Sequence, residues 1–445
     1  MLSFQTMDNE IIHAELISAI NRAVNAESAA EWIKRSVSFR DKSRSIAIGA
    51  RKFSLGEGKL FISGFGKCAE AMAKGVSEIF GDAIEKGLLL SYDDKKLPHG
   101  ISILASSHPL PNCRTIIASQ KLVDFHLSMS ESDTVLCLVS GGGSSFFEIP
   151  DGAVELSELI KTNGLLLSSG ASVAEVNVVR KALSKVKGGK LLKLTKAPII
   201  TLAISDVIGG GPGDIASGPT WPHINSASEA LDILKKYNIL APCPKNVVRH
   251  LRQKAGFESE KTAEVNTAAS PKYFVIGDNS KMLKAFSLEL SSLGYNMIIS
   301  KRRLTGPVET EAGAFMKSLL KLAATARNKT CFIAGGEAPV KVTGNKEGGR
   351  CQHFVLLCAK AIGESGIENW RKISVAAFAS DGADGFTDSA GAVLEAGTAL
   401  KIGPEIISNY AASFASHDFF KKYGGLIRTG HTGHNVNDFF IGIIN

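Results

Sequence analysis

The chain has 445 residues, long enough for two or three domains at the usual ~100–200 residues each. Its 44% hydrophobic and 21% charged residues make an ordinary globular composition. The formal charge of +8 is spread along the chain and aromatics are only 7%, which disfavours a nucleic-acid stacking surface and points to small anions as partners. No apolar run approaches the ~18 residues of a membrane span. The first ten residues lack the apolar core of a secretory signal. Seven cysteines, an odd number with no CxxC pair, read as reduced thiols of a cytoplasmic protein.

From the N-terminus, residues 9–39 carry helical spacing, with Ile12, Leu16, Ile20, Ala23 and Val24 on one stripe and Trp32, Ile33 and Val37 on a second. Strands are expected at 59–63, 87–92, 101–105, 134–139 and 198–205, with helices at 68–80, 113–129 and 226–237 between and after them. Residues 156–190 read as helical with a break near Gly170. A polar stretch without apolar period, 257–271, is the expected linker, dividing the chain into domains 1–262 and 270–445. A second series follows, with strands at 273–276, 296–300, 330–334, 373–378 and 439–444, and helices at 281–293, 308–325, 352–362 and 390–402. Strands alternating with helices predict an α/β protein whose parallel sheets are covered on both faces and whose sites lie beyond the carboxyl ends of strands.

Nearly every predicted strand ends in glycine plus a polar residue. The richest example is Ser140-Gly141-Gly142-Gly143-Ser144-Ser145, after the buried-strand pattern of 134–139. Consecutive glycines are entropically costly. They mark a tight turn or a backbone cradle for an anion, with the serines adding hydroxyl donors. Gly64-x-Gly66-Lys67 joins a strand to a helix, so it is either a phosphate site at the helix N-terminus with Lys67 as point charge or an ordinary turn. With Ala69 and the following Asp93 and Asp94 it also satisfies a weak dinucleotide fingerprint, G-x-G-x-x-A. His108, in Ser107-His108-Pro109, is a candidate substrate hydrogen-bonding group or a satisfied loop residue. Arg180 and Lys187 lie in a basic run ending in Gly188-Gly189. Asp206 closes a buried strand, where a carboxylate holds Mg²⁺, accepts a proton or makes an Asx-turn.

In the second half, Glu337 follows Gly335-Gly336. Arg350 follows Gly348-Gly349 at a helix start, well placed for bidentate anion binding. Asp381, Asp384 and Asp388 crowd one loop and suggest hydrated Mg²⁺. Residues 429–438 form a last polar loop containing His431, His434 and Asn435.

In this order, these motifs make the chain similar to the class II glycerate kinases (glycerate 2-kinases, the MOFRL family) over almost its whole length. The resemblance rests on Gly64-x-Gly-Lys67, Ser107 to Pro111, Ser140 to Ser144, Gly170 to Arg180, Leu183 to Gly189, Ser205 to Val207, Ile215 to Thr220, Gly335 to Glu337, Gly348 to Arg350 and Ala379 to Gly385. It implies ATP-dependent phosphorylation of D-glycerate at the 2-hydroxyl. It also implies a larger N-terminal Rossmann-like domain, a smaller C-terminal α/β domain and an active site in the cleft between them. Lys67, Asp206 and Arg350 become the catalytic set. Gly64, Gly66, His108, Ser140, Gly141, Gly142, Gly143, Ser144, Arg180, Lys187, Glu337 and Asn435 become binding residues for substrate or nucleotide, with Mg²⁺ on Asp381 or Asp384. The sequence departs from the family pattern at Cys351-Gln352-His353 and at His431 and His434. An NAD(P)-dependent hydroxypyruvate reductase and a non-catalytic sugar-acid or nucleotide-binding module are the alternatives. Neither nucleic acid nor a membrane is expected as partner, and a homo-oligomer is left open.

Overall fold

The computed structural model describes residues 12–223, 226–258, 271–341, 347–364 and 373–445. Most of the linker expected at 257–271, and the start of the helix expected from residue 9, fall outside them, as do the side chains of Ile12 and Leu16. The chain forms two compact units, Ala29–Ile276 and Gly277–Asn445, the latter joined by the N-terminal segment that ends at Ser28.

That partition corrects the expected domains at both ends. The helix Ile12–Ala26 buries Ile20, Ala23 and Val24 in the C-terminal unit, beside the helix Asn279–Ser292, where Arg22 pairs with Glu289 at 2.7 Å. The next helix, Ala29–Ser36, packs instead on Ala69–Phe80, because Gly75 lets Ala30 and Ile33 come close. At the other end, the strand over 273–277 completes the first sheet rather than opening the second.

The N-terminal unit begins with an unexpected antiparallel meander, β1 (Val37–Arg40), β2 (Ser45–Ile48) and β3 (Arg51–Ser54). Its main sheet comprises β4 (Leu60–Phe65), β5 (Ile84–Ser91), β6 (Lys95–Lys96), β7 (Ile101–Ala105), β8 (Thr134–Val139), β9 (Ile199–Ile204) and β10 (Tyr273–Gly277), in the order β10-β9-β8-β4-β5-β7-β6. The pairs β4–β5, β4–β8, β5–β7 and β8–β9 are parallel. The two-lysine edge strand β6 runs antiparallel to β7, and its charges blunt that edge. Every residue of β8 and β9 is buried, as sheets covered on both faces require. From β4 the chain first builds outward through β5 and β7. It then returns to the other side of β4 with β8, β9 and β10. This is the Rossmann-like order, and its switch point lies between β4 and β8.

The C-terminal sheet, β11 (Asn296–Ile299), β12 (Thr330–Gly336), β13 (Ile373–Ala379), β14 (Gly391–Glu395), β15 (Leu426–Ile427) and β16 (Asp438–Ile444), has the order β11-β12-β16-β13-β14-β15. A parallel sheet was expected, but only β11–β12 is parallel. The last strand inserts between β12 and β13 in the opposite sense, and β13 folds back on β14 through loop 380–390. Parallel neighbours need a crossover, usually a helix, and this loop is too short to supply one. The helix expected at 390–402 therefore begins as β14 and becomes helical only at Ala396–Ile402. Gly391 permits the close pairing: a Cβ there would lie 2.0 Å from the carbonyl oxygen of Ala377.

Candidate active site

The loops after β4 and β8 lock together at the switch point. Ser140 N–H donates to Phe65 O (3.2 Å), Lys67 N–H to Gly141 O (3.0 Å) and Cys68 N–H to Ser140 Oγ (3.0 Å). Gly66 N–H reaches Leu90 O at 3.2 Å, and Ala69 N–H reaches Gly66 O at 3.2 Å. The backbone donors of residues 66–69 are thus all used inside the protein. Of these, Lys67 and Cys68 hold the neighbouring loop, Gly66 holds β5 and Ala69 closes its own turn. Asp94 is engaged too, accepting from Ala105 N–H at 2.8 Å.

What the interlocking achieves is convergence. Gly142 has φ +78°, and a Cβ there would lie 3.0 Å from Lys67 Cγ and 3.1 Å from His108 Cδ2. His108 stacks on Phe146 with centroids 5.4 Å apart, and Tyr92 closes edge-on against Phe146 at 5.0 Å. Lys67, Gly142 and His108 come from loops after three different strands. Asp206 follows β9, whose Ala203 pairs with Val139, which in turn pairs with Phe65. Phe65 and Ala203 are therefore two strand spacings apart, about 10 Å, and the loops that carry Lys67 and Asp206 leave the sheet on either side of the triglycine loop.

Among the described residues, the N–H groups of Gly141, Gly142 and Ser144 make no hydrogen bond within the protein, whereas Gly143 N–H reaches Ser140 O at 3.2 Å. The flanking serines were expected as donors, and here the reading is corrected. Ser145 Oγ gives its proton to Pro109 O (2.6 Å), and Ser144 Oγ is tied to Ser217 Oγ (2.8 Å). Ser217 donates to Asn177 Oδ1 (2.9 Å), and Asn177 Nδ2 donates to Asp214 Oδ1 (3.3 Å). Both Ala216 (φ +53°) and Ser217 (φ +59°) hold left-handed backbone, clamped by Gly188 N–H to Ser217 O at 3.1 Å. Such strain persists only when the surroundings over-determine it.

The basic run divides in two. Lys187 is fully buried, with its ammonium on Glu148 and on Phe147 O (3.0 Å), so it braces the core instead of meeting a ligand. Burial pulls its pKa down against the pull of Glu148. Burial likewise brings Lys190 to about 8. Arg180 lies within the field of Glu148.

In the C-terminal unit, register puts Gly336 of β12 and Ala379 of β13 on either side of Asp438, the first residue of β16. Glu337, Asp438 and the 380–390 loop therefore gather at one sheet end. Arg350, at the start of the helix Arg350–Glu364, reaches Asp438 through Nε (2.6 Å) and Nη2 (3.0 Å), and Glu337 through Nη1 (2.7 Å). Asp438 is fully buried, and the two carboxylates hold the guanidinium firmly charged. Both oxygens of Asp384 accept N–H groups at the same helix start, from Cys351 (3.0 Å) and Gln352 (2.8 Å). Burial pushes Asp384 up to about 7. A Cβ on Gly349 would fall 2.1 Å from its Cγ, which explains the glycine before Arg350.

Of the two residues expected for Mg²⁺, Asp384 caps the helix with both oxygens, and Asp381 Oδ1 accepts Ala383 N–H at 3.1 Å. His434 is buried with Nε2 on Val24 O at 3.0 Å, and burial lowers it to about 4, as befits a structural histidine. Asn435 is buried beside it in the same loop.

Residues 15–252 match a family model described as a domain of unknown function, and residues 330–438 match the MOFRL family. The chain is 35% identical to a D-glycerate 2-kinase of Thermotoga maritima, over 94% of this chain and 97% of that protein. The chain belongs to the MOFRL family of glycerate 2-kinases. Another relative, 33% identical over 86% of each chain, is named a putative hydroxypyruvate reductase of Agrobacterium vitis. The crystal structure of a glycerate kinase from Thermotoga maritima matches with a TM-score of 0.78 at 31% identity, covering 98% of this chain and 99% of that one.

Within this glycerate 2-kinase family member, motif reading found Arg350 but not its anchor. Asp438 ends the polar loop 429–438 just before the last apolar strand. The available signal was an acid at the mouth of a fully buried strand. Asn177 and Ser217 lie inside quoted motifs, but nothing in the sequence links Asn177 to Asp214, 37 residues away.

Proposed function

We propose that the protein transfers a phosphoryl group from ATP to the 2-hydroxyl of D-glycerate, giving 2-phosphoglycerate and ADP. Beyond family membership, one observation carries the reading: Lys67, Gly142 and His108 converge at the switch point, with Asp206 in the loop after β9, the strand beyond β8. Phosphoryl transfer needs positioning and charge neutralisation more than covalent participation. Asp206 accepts the proton of the attacking hydroxyl. Lys67 neutralises the transferring group, and the unpaired N–H groups of the triglycine loop orient an anionic oxygen. Arg350 has three of its N–H groups on Glu337 and Asp438, which fix its plane and leave its other donors for an anion. Asp381 and Asp384 are the residues that would hold Mg²⁺ beside the nucleotide phosphates, and no step is routed through it.

A hydroxypyruvate reductase is the second reading, and the name of the Agrobacterium vitis relative favours it. Against it, the D-glycerate 2-kinase of Thermotoga maritima is the more similar relative, at 35% identity over 94% of this chain. Phosphorus NMR of the products from ATP and D-glycerate tests reaction and position together. A product phosphorylated at the 3-hydroxyl refutes the regiochemistry. Consumption of NADH with hydroxypyruvate, and no ADP with glycerate, refutes the kinase. A cytoplasmic setting is part of the proposal. Consistent with it, every cysteine is a free thiol and no described helix is long and apolar enough to cross a membrane.

A further inference from the structure

The hydrogen bonds behind the triglycine loop have a fixed direction. Asp214 carries a carboxylate, which only accepts, so the amide of Asn177 must turn its nitrogen to Asp214 and its oxygen to Ser217. That oxygen only accepts, so the single proton of Ser217 goes to Asn177. The 2.8 Å contact between Ser217 Oγ and Ser144 Oγ can then be made only with the proton of Ser144. Asp214 is itself fixed, its second oxygen accepting Gly211 N–H at 3.0 Å. Asn177 and Ser217 are buried, at 2% and 0% exposure, so solvent does not scramble the order. Ser144 is partly exposed, two residues beyond the glycine that touches Lys67 and His108. It therefore offers lone pairs and no proton to whatever binds there.

Such a group repels an anionic oxygen and accepts from a hydroxyl. Of the two hydroxyls of D-glycerate, the 2-hydroxyl gives its proton to Asp206 under the kinase reading, on which this inference rests. The 3-hydroxyl is the donor that remains. We propose that Ser144 Oγ accepts a hydrogen bond from the 3-hydroxyl of D-glycerate, and that the Asp214–Asn177–Ser217 relay holds it in that role. Ser144 is then the residue that distinguishes glycerate from 2-hydroxy acids lacking the 3-hydroxyl. Asp214, Asn177 and Ser217 are positioning residues. The triglycine loop thereby belongs to the sugar acid.

The test compares D-glycerate with D-lactate, which lacks only that hydroxyl, using the ratio of the D-lactate inhibition constant to the D-glycerate KM. Sites built to bind a hydroxyl reject the analogue without it. Ser144→Ala lowers the ratio about 10-fold or more, with the loss in the KM for glycerate. Asp214→Asn keeps the shape but lets the Asn177 amide turn over, so the relay loses its direction. It lowers the same ratio several-fold while the melting temperature stays within a few degrees of wild type, which a purely structural role does not predict. An unchanged ratio in Ser144→Ala overturns the assignment while leaving the kinase reading intact. A shift in the preference for ATP over 2′-deoxy-ATP, in place of the glycerate ratio, also overturns it and moves Ser144 to the ribose. If the wild type forms no phosphoglycerate, the kinase reading itself falls, a separate and visible outcome.

Discussion

Replacing Lys187 by Met tests whether this lysine braces the fold or binds substrate. Its side chain is fully buried and Glu148 is 1% exposed, so Lys187→Met leaves a carboxylate in the core with no cation bonded to it. Breaking a buried ion pair from one side costs about 3–5 kcal/mol. The nearby charge of Arg180 reduces that cost, so the loss is expected towards the lower figure. Urea unfolding followed by the fluorescence of Trp32 and Trp221, both in the N-terminal unit, reads it directly. The double variant Lys187→Met with Glu148→Leu should recover most of the stability, since an apolar pair of similar volume replaces a buried ion pair at little cost. The reasoning fails if Lys187→Met unfolds within about 1 kcal/mol of wild type yet raises the KM for glycerate more than tenfold. The ammonium would then have been facing a ligand.

Two more perturbations separate site from scaffold. Gly142→Ala places a methyl 3.0 Å from Lys67 Cγ on left-handed backbone. It is expected to cost about 1–2 kcal/mol of stability and to lower kcat at least about tenfold, because Lys67 must move. A kcat unchanged beside a lowered melting temperature would remove Lys67 from the chemistry. His126 is buried with neither ring nitrogen hydrogen-bonded, and burial lowers its pKa from 6.5 to about 4. Between those values the unfolded chain binds a proton that the folded one refuses, so stability falls as pH falls through this window. From pH 7 to pH 5 this histidine accounts for about 2 kcal/mol of that loss, and His126→Leu should flatten the urea stability profile of the N-terminal unit by that amount.

The linear chain determined the parts of the fold that depend on local pattern. The six residues of Thr134–Val139, five of them apolar, make a buried strand in any register, and a glycine-rich turn at its end follows because only glycine reaches φ +78° cheaply there. Strand-end placement likewise made Lys67 and Asp206 candidates, since in parallel sheets functional loops collect beyond strand carboxyl ends. What sequence could not carry were pairings with no local signature. The residues of β16 have the same apolar pattern whichever way the strand runs. Its antiparallel insertion, decided by packing, brought Asp438 between Gly336 and Ala379 to hold Arg350. In the same way Lys187 looks like any other lysine in a basic run until Glu148, 39 residues away, closes over it. Asp384 resembles a metal ligand until a helix start claims both its oxygens. The serines of the triglycine loop made the plainest case. Residue type gave them hydroxyls, and only the buried chain through Ser217 and Asn177 to Asp214 decided which way the proton of Ser144 points.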